Sequence, residues 1–240
     1  MVRHVLDRIT TRIFADGADL QAILDLAQDP RVTGYTTNPT LMWKAGLTDY
    51  AAFAHRLLEH ITEAPISFEV FADDEAEIRR QALLISSWGE NVYVKIPVTT
   101  TDGTPMAPLA RELSSDGVQL NVTAMFTLDQ VRALTEAVAD GAPSYLSVFA
   151  GRIADAGVDP VPIMRESVEI MKAAPRSELI WASPREVLNV VQASDVGCHV
   201  ITMTHDLLKK LGGLGKDLDQ FSLETVQMFH RDAETAGFLL

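Results

Sequence analysis

The chain has a single cysteine, Cys198, among 240 residues. That excludes an intramolecular disulfide and any metal centre built on several thiolates, and it fits a reducing cytoplasm. Long apolar runs are missing as well. None approaches the roughly 18 residues of a membrane span, and Met1 to Arg12 carries charges where a secretory leader needs an apolar core. A cytoplasmic location is therefore expected. Basic charge is scarce: 20 Lys and Arg stand against 33 Asp and Glu, a formal net charge of −13. This leaves no broad cationic surface for nucleic acid or anionic lipid, although a few arginines in one cleft can still hold a small phosphorylated ligand. The tryptophans Trp43, Trp88 and Trp181 are scattered and form no stacking stripe. The histidines show no HExxH or comparable spacing. Neighbours on a strand point to opposite faces, so Cys198 beside His199 reads as a small core residue rather than an activated nucleophile. No metal, no cofactor, no nucleic acid and no membrane partner is expected.

What is present is a repeat of two textures. Short β-like runs cover Arg12–Asp16, Gly34–Thr37, Ile66–Phe71, Val92–Val98, Val118–Met125, Tyr145–Phe149, Leu179–Ala182 and Val200–Met203. Between them lie stretches with apolar residues three and four apart, the mark of amphipathic helices: Leu20–Ala27, Tyr50–Ile61, Asp74–Ser87, Leu128–Ala139, Pro160–Ala174 and Pro184–Ala193. Thr127, and Ser183 followed by Pro184, read as helix starts. No low-complexity linker interrupts the pattern, so residues 1–240 read as one α/β domain. Eight β/α units in about 200 residues predict a single (β/α)8 TIM barrel. The runner-up, an open doubly wound sheet, calls for a glycine-rich phosphate turn after the first strand, and Asp16-Gly-Ala-Asp-Leu does not supply one. Residues 212–240 follow the eighth unit with a helical pattern (Leu218, Phe221, Val226, Phe229) and no strand left to cover. This C-terminal helical extension is expected to close the barrel bottom or pack on a neighbouring subunit.

Lys95 interrupts the apolar run Asn91-Val-Tyr-Val-Lys95-Ile-Pro-Val98. A buried ammonium costs several kcal/mol in practice. One reason to accept that cost is chemical, because a desolvated lysine is available as a nucleophile on a carbonyl; the other is a lysine paired with a buried carboxylate or snorkelling from a strand end. Polar residues also stand at or near the ends of other runs: Asp16, Asn38 and Glu69. Each has a plain explanation alone, as a helix cap, a turn before Pro39 and a counter-ion for Lys95. Together they fall where a barrel builds its site, at the carboxyl ends of its strands. Strand parity places Asn121 with Thr123, and Ser147 with Phe149, on shared faces. An amine, two carboxylates and a ketone form a workable set, since imine formation needs a proton donor and carbon–carbon cleavage a base.

Gly34-Tyr-Thr-Thr-Asn-Pro-Thr-Leu-Met42 resembles the Thr-Thr/Ser-Asn-Pro-Ser/Thr signature of the transaldolases. Val92-Tyr-Val-Lys-Ile-Pro-Val-Thr99 is similar to their active-lysine strand, particularly in the short-chain branch shared with fructose-6-phosphate aldolases. Asn121-Val-Thr123, Ser147-Val-Phe-Ala-Gly-Arg-Ile153 and Ala182-Ser-Pro-Arg185 resemble three further segments, in the family's order, from residue 13 to about 210. The resemblance implies Lys95 as the Schiff-base nucleophile, Asp16 as the base on the sugar's C4 hydroxyl, and Glu69 as a proton shuttle through a water near Thr123. It implies that Asn38 and Asn121 hold the dihydroxyacetone hydroxyls, with Thr37, Phe149 and Ser183 among the substrate contacts. Arg152 and Arg185, with Ser147, would take the sugar phosphate, a task suited to forked guanidinium groups. Three departures stand out: Val148 and Ala150 around Phe149, a longer segment after Thr99 that is expected to line the substrate mouth, and Pro184 where the family has an aromatic.

Two activities follow from the resemblance. One is transfer of dihydroxyacetone from a ketose phosphate to an aldose phosphate; the other is a lyase that releases or uses free dihydroxyacetone. The aldolase branch carries Gln in place of Glu69 and Tyr in place of Phe149, so both positions here are of the transferase kind. The departures suggest a specialised sugar pathway. A non-catalytic barrel is the third reading, and the joint presence of Lys95, Asp16 and Glu69 weighs against it. Family habit and the C-terminal segment suggest a homo-oligomer.

Overall fold

The computed structural model describes residues 8–237; the leader reading of the first seven residues and the last three residues of the C-terminal segment lie outside that range. Eight parallel strands close into a barrel in sequence order: β1 Arg12–Asp16, β2 Val32–Thr36, β3 Ile66–Glu69, β4 Val92–Pro97, β5 Leu120–Met125, β6 Tyr145–Val148, β7 Glu178–Trp181 and β8 Val200–Thr204. The expected (β/α)8 barrel is thus the observed one. Closure by β1 against β8, with Asp16 opposite Thr204, removes the open-sheet alternative.

Eleven helices lie among the described residues: α1 Leu20–Leu26, α2 Pro39–Lys44, α3 Tyr50–Leu58, α4 Glu75–Ser86, α5 Ala107–Ser115, α6 Leu128–Val138, α7 Ala150–Asp155, α8 Pro160–Met171, α9 Leu188–Asp195, α10 His205–Lys210 and α11 Leu218–Ala236. Side-chain caps start several of them, including Asp19, Asp49, Asp74 and a full capping box at Thr127 with Gln130. Helices α2, α5, α7 and α10 have no counterpart among the predicted segments. Three are only six residues long, too short to show a helical period.

Two layers share the buried volume. The outer faces of the strands and the inner faces of the helices form one large apolar cluster, including Phe68, Trp181 and Leu120. Inside the barrel, Phe14, Tyr145, Ile180 and Val200 fill the lower half, with the Phe14 and Tyr145 rings edge to face at 5.3 Å. Gly34 lies against that plug, where an added Cβ would come within 2.7 Å of three Phe14 ring carbons. Above the plug, the same inward-facing parity delivers the polar residues.

Two expectations about the later elements change. The helix after β7 begins at Leu188, so Ser183 and Pro184 do not start it. The backbone N–H groups of Arg185 and Glu186 donate to Asn189 Oδ1 at 2.8 and 3.1 Å, and Ser183 takes a left-handed φ of 60° that a helix start does not use. The C-terminal helix α11 does not close the barrel bottom. None of its residues is buried, and Leu218, Phe221, Val226 and Phe229 are exposed.

Candidate active site

Parallel pairing sets neighbouring strands in register, so residues directly opposite share a face. Glu69 stands opposite Lys95, Lys95 opposite Asn121, and Asp16 opposite both Thr36 and Thr204. This register brings the polar interruptions of separate strands into one cavity of about 390 Å³ at the carboxyl ends of the barrel. Asp16, Asn38, Glu69, Lys95, Asn121, Thr123, Ser147, Phe149, Arg152 and Ser183 all line it.

Lys95 is 7% exposed. Its Nζ lies 3.1 Å from Glu69 Oε2 and donates to the Thr37 carbonyl at 2.9 Å. One face of the ammonium is thus paired with charge and another with a backbone dipole. Asp16 sits across the cavity. Its Oδ1 accepts from the Thr36 hydroxyl at 2.9 Å and its Oδ2 from Asn38 Nδ2 at 3.3 Å. Burial pushes the Asp16 carboxyl above the usual aspartate range, against the downward pull of the Lys95 charge and of the two hydrogen bonds. Asn38 also caps α2, its Oδ1 accepting from Leu41 N–H at 2.9 Å, so the turn before Pro39 and the contact to Asp16 are one device.

Asn121 is fully buried and held from both sides. It donates to Ser67 Oγ at 2.9 Å and accepts from Ser147 Oγ at 2.7 Å. The amide retains a second N–H and a second lone pair. Ser147, expected beside the arginines, bonds to Asn121 instead. The Thr123 hydroxyl is buried at the cavity wall with no protein partner among the described residues. Thr37 is not part of the lining: its hydroxyl donates to the Ser67 carbonyl at 3.1 Å.

The two arginines differ. Arg152 lines the cavity with its guanidinium carbon 5.4 Å from the Phe149 ring centre, a cation–π distance. Arg185 lies outside the lining. Its Nε donates to both Asp155 carboxyl oxygens at 2.9 and 3.0 Å, Nη2 completes the fork, and Nη1 reaches Ser183 Oγ at 3.0 Å. The guanidinium holds the Asp155 carboxyl below its ordinary range. Gly151 makes this corner possible. A Cβ there would stand 1.6 Å from the Ser183 carbonyl oxygen, so only glycine lets the start of α7 meet the chain leaving β7. Ser183 at φ 60° and Ala124 at φ 63° are both cavity-lining residues in strained backbone. The segment after Thr99, expected at the mouth, turns away: Thr101 N–H donates to Asp73 Oδ1 at 2.7 Å, and residues 99–105 do not line the cavity.

Sequence reasoning missed Thr36, Ser67, Thr202 and Thr204, of which Thr36, Thr202 and Thr204 line the cavity. In β3 and β8 the signal is period-two polarity, Ser67 with Glu69 and Thr202 with Thr204, whereas Thr36 shares its parity in β2 with Val32 and Gly34 and carries no such signal. Cys198 is buried and its thiol is pushed up to about 12 by desolvation, as suits a core residue. No group of side chains suited to holding a metal ion occurs among the described residues.

The closed parallel barrel thus holds a buried lysine, two carboxylates and several polar side chains in one cavity at its carboxyl end. Residues 13–240 match the profile of the Transaldolase/Fructose-6-phosphate aldolase family. A relative from Dehalococcoides mccartyi named "Probable transaldolase" is 35% identical over 201 residues, 83% of this chain and 89% of the relative. Another of the same name from Herpetosiphon aurantiacus is 32% identical over 203 residues, 83% and 86% of the two chains. A crystal structure from Burkholderia cenocepacia J2315 carrying a phosphonomutase name shares the fold alone, with a TM-score of 0.56 at 13% identity over 88% of this chain and 94% of that one. The chain belongs to the transaldolase/fructose-6-phosphate aldolase family.

Proposed function

We propose that the protein transfers a dihydroxyacetone unit from a ketose phosphate to an aldose phosphate through a Schiff base on Lys95. The observation that carries this reading is the placement of Lys95, with Glu69 Oε2 at 3.1 Å and Asp16 lining the same cavity. In this account the Lys95 amine attacks the ketone carbon. Glu69, with a water held against the Thr123 hydroxyl, supplies and removes protons as the carbinolamine loses water. Asp16, recessed and raised in pKa, is suited to take the proton from the C4 hydroxyl as the C3–C4 bond breaks. The retained three-carbon unit then adds to the incoming aldehyde, and hydrolysis frees Lys95. Asn38 and the spare amide positions of Asn121 hold hydroxyls of that unit, and Ser183 and the Phe149 ring flank the substrate.

The cavity-facing Arg152 takes the phosphate. Arg185 joins it only by leaving Asp155, and Ser147 acts through Asn121. Thr37 serves through its carbonyl on Lys95. A few cationic donors suffice in a chain of net charge −13.

Glu69 and Phe149 favour transfer over the lyase reaction of the fructose-6-phosphate aldolase kind. Phe149 brings no hydroxyl to the imine, and Glu69 keeps a titratable group beside it. The expected result is that fructose 6-phosphate yields a new ketose phosphate only when an aldose phosphate is added. Steady release of free dihydroxyacetone without acceptor would transfer the assignment to the lyase. The proposed pathway is a specialised one, to be judged against the common pentose-phosphate substrates: a micromolar KM for those would overturn it. A cytoplasmic homo-oligomer completes the proposal. No helix among the described residues is long and apolar enough to cross a membrane. The apolar residues exposed on α11 suit burial against a second copy, and a monomer by light scattering would refute the oligomer.

A further inference from the structure

Tyr50, the first residue of α3, does not line the active-site cavity, yet its hydroxyl bonds to the backbone of Glu69, whose carboxylate does. In a parallel ladder the N–H and C=O of one residue face the same neighbouring strand. Tyr35 N–H donates to the Pro65 carbonyl at 2.8 Å, and Tyr35 and Thr36 stand opposite Ile66 and Ser67. Continued by period two, that ladder would bring the Thr37 carbonyl to the Glu69 N–H. Pairing instead stops at Thr36 and Ser67. The Thr37 carbonyl accepts from Lys95 Nζ at 2.9 Å. The Tyr50 hydroxyl fills the missing rung, accepting from Glu69 N–H at 2.6 Å and lying 3.2 Å from the Glu69 carbonyl that it can donate to.

We infer that Tyr50 is a positioning residue whose hydroxyl replaces the last rung of the β2–β3 ladder, freeing the Thr37 carbonyl to hold Lys95 while fixing Glu69 beside it. A phenol suits the task because one oxygen both accepts and donates. Desolvation raises the Tyr50 pKa, so the donor proton stays in place. The ring is clamped at T-shaped angles by Phe71 at 4.7 Å, Trp88 at 5.9 Å and Phe68 at 6.1 Å. That packing survives in Tyr50→Phe. Without the hydroxyl, the Glu69 N–H competes for the Thr37 carbonyl, and both contacts that hold Lys95 loosen together.

This role rests on Lys95 as the imine-forming residue. The test is the single-turnover rate of borohydride trapping of fructose 6-phosphate on Lys95, with kcat and KM, in wild type, Tyr50→Phe and Asp49→Ala. Asp49→Ala removes the cap of the same helix, where Asp49 accepts from Ala52 N–H at 3.0 Å, and leaves the hydroxyl untouched. Tyr50→Phe is expected to lower the trapping rate and kcat together by about tenfold, a fraction of a full acid–base contribution, with KM within about twofold. Asp49→Ala is expected to lower the unfolding midpoint with kcat unchanged. Should Tyr50→Phe fail to fold, Tyr50→4-aminophenylalanine decides. Its nitrogen donates but accepts poorly, so a trapping rate below wild type at unchanged KM is required. Wild-type rates in the folded variant, or an equal loss in Asp49→Ala, would overturn the role. No adduct in the wild-type protein would remove the Schiff-base reading itself, an outcome distinct from both.

Discussion

Replacing Gly151 by alanine tests how the corner that carries Arg152, the proposed phosphate ligand, is built. A Cβ at that position would lie 1.6 Å from the Ser183 carbonyl oxygen and 2.6 Å from the Ser183 carbonyl carbon. Comfortable contact between non-bonded heavy atoms is about 3.5 Å, so the two backbones must part by nearly 2 Å. Little slack is available. Ser183 already sits at φ 60°, Gly151 N–H donates to the Ala182 carbonyl at 3.3 Å, and Arg185 Nη1 donates to the displaced Ser183 carbonyl at 3.1 Å. Overpacking of a well-packed site costs about 1–3 kcal/mol, and a clash between two backbone segments belongs at the upper end. For a chain of this size ~3 kcal/mol lowers the unfolding midpoint by about 6–12 °C. Arg152 is the next residue, and a displacement of about 1 Å in a substrate-holding group can cost about 100-fold in kcat/KM. Gly151→Ala should therefore lower the midpoint in a thermal scan and raise KM for fructose 6-phosphate, while borohydride still labels Lys95 in the deeper part of the cavity. An unchanged midpoint with an unchanged KM would refute the close approach of α7 to β7 and the place of Arg152 in phosphate binding.

Ionising Asp16 in the folded protein carries a cost. Its folded pKa is raised by burial, so the folded state binds the proton more tightly than the unfolded chain, and stability falls as pH rises through the folded pKa. Asp16→Asn should therefore unfold at a higher temperature than wild type at neutral pH, with the gain shrinking in a pH series as the wild-type carboxyl becomes protonated, and it should abolish turnover. A variant less stable than wild type at neutral pH would contradict burial as the dominant influence. Ser67→Ala leaves one Asn121 amide proton without its acceptor, at a cost of about 1–3 kcal/mol. Calorimetry should show the loss, and a neutral result would mean that Asn121 finds another partner.

The barrel was legible in the sequence because its strands are short apolar runs separated by helical periods, and parallel order follows from that alternation. The site was legible in part for a related reason. Asp16, Glu69, Lys95, Asn121 and Ser147 are polar residues at inward parity, and inward parity survives translation from sequence to barrel. Register does not. Nothing in the spacing sets Asp16 opposite both Thr36 and Thr204, so the threonines around it were overlooked. Short helices are hidden as well: Ala150–Asp155 and Pro39–Lys44 are each six residues, too short to show a helical period, and Asn38-Pro39 reads as a turn. Tyr50 reaches Glu69 from nineteen residues away, a contact that exists only because β2 leaves the ladder early. The engagement of Arg185 by Asp155 was hidden for the same reason, since thirty residues separate them.

The most direct test of the central claim is reductive trapping with borohydride and fructose 6-phosphate, read by intact and peptide mass spectrometry. One stable adduct is expected, on the peptide containing Lys95, and none in Lys95→Met. An adduct on another lysine, or none with either fructose 6-phosphate or sedoheptulose 7-phosphate, would contradict it.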